Sequence, residues 1–169
     1  MAPWPTDAQV VEEEPSAIDV DASGVKASMT APMSEDAAGN MVDYSAAYVV
    51  DGDSHTAWRA EGDGIGYELV VNLGAEYHLT EVGLIPGYAK TEGEIDRFHQ
   101  NRRILSVVWD FADGLRVTQD FEDAAQMQSI PIDATSNWVR VHIDATSEDG
   151  GRDYVAISDI ALVGMPVTN

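Results

Sequence analysis

Apolar residues in this chain recur at every second position in short runs, and seldom at the three- and four-residue spacing of an amphipathic helix. In Trp138-Val139-Arg140-Val141-His142-Ile143 the odd positions hold Val, Val and Ile, and the even ones Trp, Arg and His. Side chains alternate across a strand, so the odd set is expected to face a core and His142 to point outward. Comparable runs, rich in β-branched and aromatic residues and separated by turn formers, cover 25–30, 67–73, 80–86, 104–111, 115–121, 128–132 and 156–163. Eight strands imply two packed sheets, an all-β sandwich. Asp113-Gly114, between two of the runs, reads as a tight hairpin because Gly accepts a positive φ.

The strand series is broken by 87–103, a polar stretch with Gly87 and Gly93 that is expected to be a large excursion at one end of the sandwich. Long excursions of this kind are usually functional or disordered. Before the first run, residues 1–25 hold six carboxylates, three prolines and no Lys or Arg, the composition of a solvated linker. The expected organisation is an acidic tail over 1–25, a β-domain over 26–165 and a short C-terminal tail over 166–169.

Charge changes the picture of partners. Thirty acidic residues against nine basic ones give a net charge of −21, a field that repels phosphate backbones and anionic headgroups. Nucleic acid is therefore not an expected partner. Neither is direct membrane insertion, since no run approaches the roughly 20 apolar residues of a membrane helix. With no cysteine, disulfides, thiolate metal sites and cysteine nucleophiles are excluded. The sequence lacks Gly-x-Ser-x-Gly, His-Glu-x-x-His and a phosphate-cradling Gly-rich loop, and its four His residues are scattered. Catalysis is not expected.

Two clusters could bind something. In 50–58, Asp51 and Asp53 flank Gly52, with Thr56 close behind and Trp58 after it. Hard oxygens on a tight loop suit calcium; the same acids could instead hydrogen-bond their own backbone in an Asx-type turn, with Trp58 plugging the sandwich. In the long excursion, Lys90, Arg97, Arg102 and Arg103 place four of the nine basic residues within fourteen positions. Tyr88, Lys90, Arg97, Asn101 and Arg102, with Asp153 from a later loop, supply an aromatic platform and planar hydrogen-bonding groups of the kind that recognise sugars. The competing reading is an internal salt-bridge network with Glu92, Glu94 and Asp96.

Asp51-Gly52-Asp53-x-x-Thr56-x-Trp58, then Gly66-Tyr67-Glu68-Leu69-x-x-Asn72-Leu73-Gly74, then Ala156-Ile157-Ser158-Asp159-Ile160 resemble the discoidin family, the galactose-binding-like jelly rolls of the coagulation factor C type. Gly87-Tyr88-x-Lys90 followed by Asn101-Arg102 is similar to a bacterial subgroup, the glycan-binding domain attached to NAD-glycohydrolase toxins. The resemblance covers roughly 27–164. It implies an eight-stranded jelly-roll sandwich that binds a ligand through loops at one end, usually a sugar, outside the cell or on its surface. By the same resemblance Asp51, Asp53, Thr56 and Asp159 match the positions that hold calcium in some relatives. Trp58 matches a buried Trp rather than a sugar platform. Tyr67 and Asp159 stand where the family more often has Trp and Glu.

The expected function is thus a non-catalytic carbohydrate-binding module, monomeric as an isolated domain. The alternative is a protein-docking or sensory ectodomain of a membrane protein.

Overall fold

The computed structural model describes residues 14–168. Its strands are β1 (Ser16–Ala17), β2 (Val25–Ala27), β3 (Ser34–Glu35), β4 (Met41–Val42), β5 (Trp58–Glu61), β6 (Glu68–Leu84), β7 (Thr91–Glu92), β8 (Ile95–Asp96), β9 (Ile104–Phe111), β10 (Arg116–Asp120), β11 (Gln128–Thr146), β12 (Tyr154–Ile157) and β13 (Ile160–Pro166). One short helix, α1 (Arg97–Gln100), and two 3-10 turns complete the described elements. The main sheet runs β1-β13-β6-β11-β9-β10, with β2 also paired to β6, and every pairing is antiparallel. β5 and β12 form a separate ribbon. The fold is a jelly-roll β-sandwich.

The alternation predicts the core correctly. Val139, Val141 and Ile143 are buried, as are Leu69, Val71, Val107 and Trp109 on neighbouring strands, and they join Trp58, Ala60, Val155 and Ile157 of the ribbon in one cluster. Trp58 and Trp109 lie fully inside with their indole N–H groups satisfied, donating to the Met29 carbonyl at 2.8 Å and to Gln119 Oε1 at 2.9 Å. Truncating either to Ala is of the order of 3–5 kcal/mol, since the cavity cannot refill. The Asp113-Gly114 hairpin is present: Gly114 has φ +93°, and β10 returns along β9.

Three expectations change. The runs 67–73 and 80–86 are one strand, β6, and 128–132 and 138–143 are one strand, β11. The intervening residues pair with each other, Leu79 with Ala134, His78 with Thr135 and Tyr77 with Ser136, so the ladder continues where turn formers predict a break. The run 156–163 instead splits at Ser158-Asp159, where the chain crosses from the ribbon to the main sheet. The buried Ser158 hydroxyl fixes that crossing, donating to the Gly87 carbonyl and accepting from Ala89 N, both at 2.8 Å.

The boundary at residue 25 also moves. Ser16 and Ala17 pair with Gly164 and Val163, Ile18 N donates to the Leu162 carbonyl, and Ile18 and Val20 pack on the core. Two apolar side chains and an open sheet edge outweigh the linker-like composition of 14–25; residues 1–13 of the expected tail lie outside the described residues. At the other end β13 reaches Pro166, and Val167 N bonds to the Glu76 carbonyl.

Candidate functional site

Three connections meet at one end of the sandwich: 62–67, 87–103 and 147–153. Gly62 N donates to the Asp153 carbonyl at 2.8 Å, Arg102 N to the Tyr154 carbonyl at 2.8 Å, and Thr146 Oγ1 to the Asp63 carbonyl at 2.8 Å. The excursion 87–103 is built as a clasp. β7 and β8 close a small hairpin, and Asp96 caps α1 by accepting from Phe98 N and His99 N. His99 sits between Asp96 (2.6 Å) and Asp123 (3.1 Å), and these carboxylates, Asp96 first, raise its pKa.

The clasp places the expected sugar-contacting residues unevenly. Tyr88 is 2% exposed, packed edge-on to Tyr44 at 6.1 Å, so it is a core residue and not an open platform. Arg97 and Asn101 are buried too: Arg97 bonds Gln100 at 2.7 Å, and Asn101 Nδ2 donates to the Arg97 carbonyl at 2.8 Å. These three leave the list of surface contacts, because a side chain that pins the loop from inside has no face for a ligand. Lys90 lies 3.8 Å from Asp36. Arg102 reaches Asp153 at 2.6 Å, Asp149 at 3.7 Å and the Ser147 carbonyl at 3.0 Å, and the Asp153 bond leads the causes that raise its pKa. Arg102 and Arg103 are held in ion pairs, but with Asp149, Asp153 and Asp123 from other loops and not with the loop's own acids, of which Asp96 pairs with His99.

Asp153 and Arg102 remain accessible, beside residues the sequence alone does not single out. Asp153, Tyr154, Glu61 and Gly62 line an open depression of about 410 Å³. The Tyr154 ring is stiffened from behind by Arg59, which is 3% exposed and has its guanidinium carbon 4.0 Å from the Tyr154 centroid and 3.9 Å from that of Tyr44. Burial lowers the pKa of Arg59, and the two tyrosines oppose that effect. Tyr154 could have been singled out as an aromatic directly beside Asp153; nothing in the sequence marks Arg59.

At the other cluster, Asp51 accepts from Asp53 N and from the Thr56 hydroxyl, and Asp53 accepts from His55 N, so the Asx-type turn is formed. Asp159 lies close enough to be affected by both acids. Desolvation first, then Asp51 and, more weakly, Asp53, push its pKa up to about 6. Among the described residues no Lys or Arg pairs with these three acids, and no group of three His, Asp or Glu side chains is gathered to hold a metal ion. Uncompensated hard oxygens suit calcium, but an ion here would need Thr56 and main-chain oxygens to complete its shell.

The fold is shared by solved structures that include carbohydrate-binding modules. A family 32 carbohydrate-binding module from Clostridium perfringens NanJ, solved with galactose, superposes with TM-score 0.58 at 17% identity, over 89% of this chain and 99% of that one. A putative chitobiase fragment from Bacteroides thetaiotaomicron gives TM-score 0.61 at 13% identity, over 94% and 98%. A second C. perfringens family 32 module, solved with N-acetylgalactosamine-β-1,3-galactose, gives 0.59 at 13%, over 87% and 99%. No curated protein matches the sequence. The family described as the NAD glycohydrolase translocation F5/8 type C domain matches residues 21–163, which include all the loops described above. That span is most of the sequence, and the chain belongs to this family.

Proposed function

We propose that the protein is a non-catalytic glycan-binding module acting outside the cell or at its surface, with its contact surface in the depression formed by Glu61, Gly62, Asp153 and Tyr154. The observation that carries this reading is the convergence there of an aromatic ring fixed by Arg59 and an exposed carboxylate held by Arg102. Pre-ordered polar groups beside an aromatic side chain give hydroxyl recognition at low entropic cost. Two of the solved neighbours named above, in complex with galactose and with N-acetylgalactosamine-β-1,3-galactose, support the ligand class. Calcium belongs to the proposal as a stabiliser of the 51–58 turn.

A glycan array probed with the full chain is expected to show binding to a restricted set of sugars. Tyr154→Ala and Asp153→Ala are each expected to weaken the best of them about thirtyfold, the size of a 2 kcal/mol hot-spot loss. An array with no binder overturns the reading. One observation favours the alternative of a protein-docking ectodomain: Met29, Met33 and Met41 are each about half exposed, and adaptable Met-rich surfaces suit protein partners. That reading gains if the array is blank and Met33→Glu abolishes capture of a surface protein.

A further inference from the structure

We propose a second saccharide site on the outer face of the main sheet, centred on Trp138 and taking a neutral sugar ring. It shares its ligand class with the reading above and none of its residues.

Trp138 differs from the other two described tryptophans. It is half-buried on the solvent side of β11, and its indole N–H makes no hydrogen bond to any described residue, whereas Trp58 and Trp109 are buried and satisfied. With Val70, Asn72, Asn137 and Arg140 it lines a concavity of about 340 Å³, which lies at the small end of ligand sites and suits one or two sugar rings.

Between the pairs Ser136–Tyr77 and Trp138–Asn72 the register steps over Asn137 on β11 and over 73–76 on β6. Bulges of this kind re-aim side chains and cluster next to functional sites. The irregularity is pinned from beneath by Ser136, fully buried, whose hydroxyl donates to the Trp138 carbonyl and accepts from Ala112 N at 2.8 Å. Asn72 Oδ1 accepts from Gly74 N at 2.9 Å, which fixes its amide and leaves the Nδ2 donor unengaged among the described residues. The exposed Asn137 amide is likewise unengaged. The concavity thus offers an indole face and N–H, one amide donor and one complete amide, a set that matches the apolar face and hydroxyl rim of a pyranose.

Electrostatics selects a neutral ligand. Arg140 lies over the Trp138 ring at 5.7 Å but is already matched by Asp110 at 3.1 Å and Glu68 at 3.8 Å. Asp110, itself buried, also holds Arg116 at 2.6 Å. Lys26, directly across from Val70 on the same face, has no ion pair among the described residues but does not line the concavity, and the net charge of −21 disfavours an acidic sugar.

The test is a titration of the isotopically labelled full chain with galactose, N-acetylgalactosamine, glucose, N-acetylglucosamine and mannose, followed by nitrogen–proton correlation spectra. At least one sugar is expected to move the Trp138 indole signal and the Asn72 and Asn137 side-chain amide signals saturably. Trp138→Ala and, separately, Asn137→Ala are expected to weaken that binding about tenfold or more, with Tyr154→Ala leaving it unchanged. Loss of the loop-end reading would show instead as absent shifts around Asp153 and Tyr154, so the two sites fail independently. The proposal is overturned if none of the five sugars moves the three signals up to about 50 mM, an affinity too weak to matter. It is also overturned if the shifts survive both folded variants. Asn137 is exposed and unbonded, so its variant reports on binding even if Trp138→Ala does not fold.

Discussion

Asp159 is the residue under most electrostatic tension. It is half-buried, and desolvation with the nearby Asp51 and Asp53 raises its pKa from 3.8 to about 6. The folded state therefore holds a proton more tightly than the unfolded chain. Its contribution is favourable below about pH 4 and is lost as pH rises through about 6, so at neutral pH an ionised Asp159 destabilises the fold. The full shift would correspond to about 3 kcal/mol, and solvent access reduces that to roughly 1 kcal/mol. With chelator at pH 8, Asp159→Asn is expected to raise the melting temperature by about 2 to 4 °C. If calcium binds the turn, the wild type gains stability from added ion by mass action, and the same substitution removes that gain. Identical melts of the wild type with chelator and with calcium would refute the calcium proposal. At this scale the sequence conveyed residue types better than directions. Trp138 and His142 lie inside an alternating run, so their outward positions could be read. Tyr88 and Asn101 lie in an aperiodic loop, where nothing local says whether a polar aromatic or an amide turns in or out.

Among the elements, β1 shows how little sequence is needed to extend a sheet. Two residues pair with β13, and Ile18 and Val20 follow them onto the core. Two truncations, one starting the chain at 14 and one at 26, isolate the contribution of 14–25. Starting the chain at 26 exposes the β13 edge and uncovers those two side chains, and partial loss of two such contacts, about 2 kcal/mol, lowers melting by roughly 4 to 8 °C. Equal melts for the two truncations would show that 14–25 adds nothing to stability. The strand identities were legible because a half-buried antiparallel strand writes its period into the sequence. The continuity of β6 and β11 was not. Gly74 and the stretch 133–137 carry turn chemistry, yet between the two register shifts Leu79, His78 and Tyr77 pair with Ala134, Thr135 and Ser136, and that pairing links positions some sixty apart, beyond the reach of a local window.

For the whole molecule, the net charge of −21 sets a field that no single pair cancels. Added salt acts in two opposed ways. It weakens solvent-accessible pairs such as Arg103–Asp123, worth about 0 to 1 kcal/mol at a surface, and it screens the repulsion among the many acids left unmatched. Nine basic residues cannot pair thirty acidic ones, so the repulsive contribution is larger, and the melting temperature is expected to rise between about 10 mM and 500 mM sodium chloride, where the Debye length falls from roughly 30 Å to under 5 Å. A fall over that range would mean that the ion pairs of the 87–103 clasp outweigh the self-repulsion. The same field bears on recognition. It is sensed by a charged ligand before contact and not by a neutral one, so affinity for galactose should be flat in salt, while affinity for a uronic acid, if any is bound, should strengthen as salt rises. Titrating both sugars at low and high salt separates the two cases. Binding of the uronic acid that weakens with salt would instead require a local positive patch, and Arg102, released from Asp153 by the ligand's own carboxylate, is the residue placed to provide one.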